Sequence, residues 1–140
     1  MEEKNVEWHG DKETLKILKK KHNVKAAKPK DWDTEYLDQV MNCKVVKDFN
    51  EALKHIEEHG SRHSESIVTS SETTARKFQS QIDAAVVYWN ASTRFTDGFE
   101  FGLGGELGIS TQKLHVRGPV GLKELTSFRW VVDGTGQVRK

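Results

Sequence analysis

Val6 and Trp8 alternate with charged neighbours near the start of the chain and predict a short strand. Asp11 is placed to cap a helix carrying Leu15 and Leu18 on one face. The stretch from His22 to Pro29 reads as a connection, and a second strand fits Asn42 to Val46. The clearest helix follows. Asp48 is a good N-cap, Glu51 stands three residues on as its capping-box partner, Ala52, Leu53 and Ile56 form the apolar stripe, and Gly60 is expected to supply a left-handed stop. Ser66 to Val68 predicts a strand. Thr69 with Glu72 repeats the capping pattern, ahead of Ala75, Phe78 and Ile82 at helical spacing. Ala84 to Tyr88, compact and β-branched, predicts a buried strand. A last strand fits Ser127 to Val132, with a turn at Asp133-Gly134 and a return at Gln137-Val138 that suggest a terminal hairpin.

Strand, helix, strand, helix, strand is the rhythm of an α/β sheet with crossover helices. That rhythm breaks after Asn90, where the segment to Gly108 is rich in Gly, Thr and Ser and long for a connection without a task. Composition narrows the picture little. Hydrophobic residues make up 35% and charged residues 31%, polar for a globular chain but not for a disordered one. Lys and Arg number 22 against 21 acids, a net charge of +1, so nothing global calls for nucleic acid or an anionic membrane. No apolar run approaches the roughly 18 residues of a membrane span, and no secretory h-region is visible at the start. The single cysteine, Cys43, excludes an internal disulfide, and a cytoplasmic location is expected.

The candidate chemistry lies between Asn90 and Arg117, NASTRFTDGFEFGLGGELGISTQKLHVR. Loops at the C-terminal ends of parallel strands are where α/β proteins hold ligands. An arginine among small hydroxyl residues, as Arg94 is here, suits a carboxylate or phosphate, because its planar fork donates two parallel hydrogen bonds. Asp97 or Glu100 suits an ammonium group, so an amino acid would fit the set. The bland alternative is an exposed Arg94–Asp97 ion pair of little energetic value, and residue types alone do not choose between the two. Gly102, Gly104 and Gly108 spell G-x-G-x-x-x-G, which is not the dinucleotide fingerprint. Their expected role is close backbone approach to a neighbouring element or ligand.

The string ASTRFTDGFEFGLGGELGISTQKLHVRGPVGLKELTSFRW, together with HGSRHSESIVT (59–69) and DWDTEYLDQV (31–40), resembles the C-terminal region of the gamma-glutamyl phosphate reductase family, a branch of the aldehyde dehydrogenase superfamily. The resemblance covers nearly the whole chain and is looser in the first thirty residues. It implies a partial aldehyde-dehydrogenase-like catalytic domain over 1–118 and a C-terminal oligomerisation strand or hairpin over 119–140, with the cofactor-binding domain absent. Members of this family reduce L-glutamyl 5-phosphate with NADPH to L-glutamate 5-semialdehyde in proline biosynthesis. The implied mechanism is cysteine attack on the acyl phosphate, a thioester, then hydride transfer. By the resemblance, Glu35 lines up with the glutamate that holds a nicotinamide-ribose hydroxyl of NADP. Asn90, Ser92, Arg94, Thr96 and Asp97 line up with the loop that closes the substrate pocket. Leu125 to Val132 matches the family's terminal strands and implies pairing with another subunit, either in a homo-oligomer or on a full-length reductase.

The family's nucleophilic cysteine lies upstream of everything in this sequence, so no catalytic residue is expected here. Cys43 does not align with it and reads as a buried structural cysteine. His59 and His63 flank Gly60, Ser61 and Arg62. Metal ligation would need further ligands, so a structural or surface role is expected and no metal site. The lysines at 19–21 read as a solvated face, and Trp89 and Trp130 as packing residues. Two functions fit: an incomplete reductase that contributes pocket and cofactor contacts, and a non-catalytic module that pairs with a full-length subunit.

Overall fold

The structure, a computed structural model, describes residues 5–18 and 23–140. The lysine run at 19–21 lies outside the described residues. The chain divides into two compact units. The first runs to Arg62 and adds Arg76–Asp83, and the second takes His63–Ala75 and Ala84–Lys140.

In the first unit, β1 (Glu7–Gly10) lies between β2 (Val24–Ala26) and β3 (Val40–Cys43), parallel to both, with Trp8 opposite Val24 and Met41. α1 (Lys12–Leu18) leaves β1 at once. Asp11 Oδ1 accepts the Thr14 N–H at 2.8 Å, the cap expected from the sequence. Thr14, only 1% exposed, donates its hydroxyl to the Cys43 carbonyl at 3.0 Å. A Cβ on Gly10 would stand 2.6 Å from Thr14 Cγ2, so only glycine lets the helix close on the strand. β2 falls inside the stretch read as a connection. Its three residues are too few to show alternation, and pairing with β1 makes them a strand. β3 ends at Cys43, three residues short of the expected Val46, and Cys43 is half-buried rather than buried because β3 is a sheet edge.

α2 spans Phe49–His59, with the Glu51 N–H donating to Asp48 Oδ1 at 2.9 Å. The return half of the capping box lands one residue early, where Glu51 Oε2 accepts the Lys47 N–H at 3.0 Å. Gly60 is not left-handed. Its φ of −74° and ψ of 148° are extended, its N–H closes the last turn on the Ile56 carbonyl, and the left-handed residue is Arg62 at φ 62°. The last residues of α3 (Glu72–Gln81) belong to this unit and bring Phe78, 4% exposed, and Lys77, whose Nζ sits 4.6 Å from the Phe49 ring centroid.

In the second unit, β4 (Ser64–Ile67) and β5 (Val86–Trp89) pair in parallel, from Ser64 opposite Val86 to Ile67 opposite Trp89. The first turn of α3, with the fully buried Ala75, also belongs here. Its cap is Ser71, not Thr69: Ser71 Oγ accepts the Thr74 N–H at 3.3 Å, while Thr69 Oγ1, two residues earlier, accepts the Ser71 N–H at 3.1 Å. β5 is half-buried along its length rather than buried, because among the described residues its sheet has only two strands. β6 (Gly108–Ser110) and β7 (Gly118–Val120) form an antiparallel pair that the hydrophobic pattern does not predict. Beyond β7 the described chain forms no further strand. The segment 127–132 pairs with no strand among the described residues, and Phe128, Trp130 and Val132 are 83%, 85% and 86% exposed. No described helix is long and apolar enough to cross a membrane.

Candidate functional site

The second unit builds its site where β4 and β5 end. Asn90 follows β5 at φ 54°, a left-handed conformation that asparagine tolerates better than most residues. Its N–H donates to the Ile67 carbonyl at 2.9 Å. Its amide then bridges Thr69: Oδ1 accepts the Thr69 N–H at 2.9 Å, and Nδ2 donates to the Thr69 carbonyl at 3.0 Å. The two loops that leave the parallel strands are thus tied at their roots.

The next loop is pinned to one face of the sheet at two points. Ser66 Oγ donates to the Ala91 carbonyl at 2.7 Å. Thr96 Oγ1 lies 2.6 Å from Ser64 Oγ and 2.9 Å from Tyr88 Oη. Ser64, Ser66 and Tyr88 share that face because alternate strand residues point the same way. Between the pins Thr93–Phe95 form a 3-10 turn, with the Arg94 N–H donating to Ser92 Oγ at 3.2 Å. Arg94 stands exposed at the apex, and among the described residues its guanidinium has no hydrogen bond or ion pair.

Asp97 does not pair with Arg94. Its Oδ1 accepts the N–H groups of Phe99 at 2.8 Å and Glu100 at 3.1 Å and so shapes the following turn. Gly98 carries the close approach expected of the glycines, since a Cβ there would lie 2.4 Å from the Gly105 carbonyl oxygen. Gly102 and Gly104 serve differently, at φ 71° and 73° with open space around them.

Two clefts open here. One of about 300 Å³ is lined by Ser92, Arg94, Phe95 and Glu100. The other, about 710 Å³ and wider, is lined by Val68, Thr69, Ser70, Asn90, Ala91 and Ser92. Ser92 lines both clefts, beside Arg94 in the smaller and Asn90 in the wider, while the Asn90, Thr96 and Asp97 side chains are engaged in holding the loop. Glu100 joins Arg94 at the smaller cleft, so opposite charges face one space of amino-acid size. Sequence reasoning did not find Ser64 and Ser66. The available signal was their alternation in β4, a strand whose start was read two residues late.

On β4's other face, burial holds the Glu65 carboxyl above the usual carboxylate range.

Glu35 belongs to the first unit, in the segment between the 3-10 turn Pro29–Asp33 and β3. It is exposed, and its neighbours are anchored. Thr34 Oγ1 donates to the Lys30 carbonyl at 2.8 Å, and Tyr36 Oη donates to Asn42 Oδ1 at 3.0 Å. Tyr36 also lies 3.1 Å from His9 Nδ1. His9 stands between two carboxylates, Asp31 at 3.0 Å and Glu7 at 2.7 Å. Both are held below the usual carboxylate range, Glu7 first by Lys25 and then His9, and Asp31 first by the Lys28 N–H. Desolvation and the charge of Asp31 push the Tyr36 phenol up.

No protein-family model matches the chain. Over 136 residues it is 59% identical to the gamma-glutamyl phosphate reductase of Desulforamulus reducens, a match that covers 97% of this chain and 32% of that protein. The enzyme of the same name from Francisella philomiragia is 58% identical over 135 residues, again with 32% of its length covered. The crystal structure of gamma-glutamyl phosphate reductase from Thermotoga maritima superimposes with a TM-score of 0.91 at 51% identity, over 99% of this chain and 33% of that one. The chain spans about a third of the length of the relatives it matches.

Proposed function

Since this chain corresponds in sequence and fold to the C-terminal third of gamma-glutamyl phosphate reductase, we propose that it supplies the substrate-closing loop of an enzyme that reduces L-glutamyl 5-phosphate to L-glutamate 5-semialdehyde in proline biosynthesis. The observation that carries this reading is the uncommitted guanidinium of Arg94 at the apex of a pinned loop, with Glu100 on the same cleft. Arg94 binds the carboxylate or phosphate of the substrate through its two-pronged fork, and Glu100 meets the ammonium group. Asn90 and Thr96 hold the frame in which Arg94 is presented.

The cofactor of this reaction is NADPH, which supplies hydride when bound. Glu35, an exposed carboxylate with anchored neighbours, fits a ribose hydroxyl. The nucleophilic cysteine and the phosphate-binding turn come from the rest of the reductase. Cys43 is half-buried at the end of β3, and the resemblance gives it a packing role and not that of the nucleophile.

The test is NADPH formation from glutamate 5-semialdehyde, NADP and phosphate. The folded chain alone should be inactive, and supplying the N-terminal two-thirds of a relative should restore activity. In the complemented enzyme Arg94→Ala should lower kcat/KM by about 30- to 150-fold, the worth of one charge-assisted contact of ~2–3 kcal/mol. Folded pieces that never restore activity would sink the incomplete-reductase reading. Restored activity indifferent to Arg94 would sink the loop assignment alone.

A second reading has its own support. The segment from Ser127 to Val132 exposes Phe128, Trp130, Val131 and Val132 together, an apolar stretch that a partner could cover. In that reading the chain pairs with another reductase subunit without itself catalysing. Absence of any complex with full-length reductase on co-purification would count against it.

A further inference from the structure

The spacing that matters among the histidines is His55 to His59, one helical turn apart on α2, rather than His59 to His63. The two ring centroids are 4.7 Å apart with planes tilted by 60°. An ion ~2.1 Å from an imidazole nitrogen lies ~3.2 Å from that ring's centroid, so two rings sharing it at ~90–110° have centroids ~4.5–5.2 Å apart. The observed separation falls inside that span.

The surroundings fit the same chemistry. His59 Nδ1 lies 2.7 Å from Asp33 Oδ1, the carboxylate–histidine contact that fixes the tautomer and leaves Nε2 as the ligating nitrogen. The edge-on Trp32 ring, 5.4 Å from His55 at 82°, holds the second imidazole. Desolvation first, then the nearby Lys44, favours neutral His55, the form that ligates. A cleft of about 600 Å³ opens the His55 imidazole to solvent, with Lys44, Lys47 and Lys54 on its wall balanced by Asp48, Glu51 and Glu58. His55, Glu58 and His59 also spell H-x-x-E-H, a spacing used by zinc enzymes to place two imidazoles on one helix face. No group of three or more His, Cys, Asp or Glu among the described residues is arranged to hold a metal ion. A site on this pair would therefore have two protein ligands, with solvent filling the remaining positions.

We propose that His55 and His59 form a two-imidazole chelate for a borderline divalent cation of the Zn²⁺ class, with Asp33 as the positioning residue for His59. Such a site binds more weakly than a four-ligand structural site and exchanges its ion with solvent.

The experiment titrates Zn²⁺ into the full 140-residue chain by calorimetry and against a fluorescent zinc indicator, with histidine ring protons followed by NMR. One equivalent should bind in the micromolar to sub-millimolar range, shifting the ring protons of two histidines. His55→Ala and His59→Ala should each weaken binding at least tenfold, and Asp33→Asn by about 10- to 100-fold. Cys43→Ser and His115→Ala should leave it unchanged. If an alanine variant loses its circular dichroism signature, the glutamine variant replaces it, and the NMR shifts of the unaltered chain stand independently. No saturable binding, shifts confined to other histidines, or binding that follows Cys43 would overturn the proposal.

Discussion

Replacing Asn90 by alanine removes two things at once: a residue suited to φ 54° and both hydrogen bonds to Thr69. The backbone part costs ~1 kcal/mol, because a Cβ without a compensating polar group is disfavoured in the left-handed region. The two bonds are exposed and contribute ~0.5–1 kcal/mol each. Asn90→Ala should therefore destabilise by ~2–3 kcal/mol. Asn90→Gly keeps the conformation at no steric cost and loses only the bonds, so ~1–2 kcal/mol is expected. Asn90→Asp keeps an acceptor for the Thr69 N–H but sets a carboxylate oxygen against the Thr69 carbonyl, and should fall nearer alanine. For a chain of this size each kcal/mol moves Tm by roughly 3–4 °C, so alanine and glycine should differ by about that much in thermal unfolding followed by circular dichroism. Equal losses for the two would refute the left-handed strain. Losses below ~0.5 kcal/mol in both would show that the bridge contributes nothing, and Asn90 would return to candidacy as a direct substrate contact.

Gly98→Ala should destabilise by at least ~2 kcal/mol, because its Cβ meets backbone at Gly105 rather than a side chain that can turn away; urea denaturation reads this directly. Glu65→Gln should raise Tm at neutral pH, because the folded carboxyl is held above its unfolded value by burial. Stability from this group is full below the unfolded value and is lost as pH rises through the raised one, so the variant's advantage should vanish on acidification. An advantage that persists in acid would show that the gain is not electrostatic.

Local chemistry was legible in the sequence and distant pairing was not. Asp48 and Glu51 announce α2 because a cap acts within one turn. Gly60 marks the helix end, yet its conformation is extended, since Arg62 makes the left-handed turn instead. β2 and the β6–β7 pair escaped because three-residue strands acquire their identity from a neighbour, and Pro119 and Gly108 read as turn residues until opposite partners exist. The loop from Asn90 was visible by its length and residue types. Asp97 is engaged by its own turn, two and three residues on, whereas the occupation of Thr96 by Ser64, 32 residues away, is a tertiary fact with no sequence periodicity behind it. The same holds for His59 and Asp33, 26 residues apart.

The two hydroxyl pins at Ala91 and Thr96 have a consequence for how such a loop can change. The backbone frame is carried by Ser64, Ser66 and Tyr88 on the sheet and by the roots at Asn90, while the apex side chain at 94 carries none of it. Recognition and architecture are therefore written in separate residues. A mutation at the apex can explore a new ligand without spending fold stability, whereas a mutation at a pin alters the presentation of every apex residue alike.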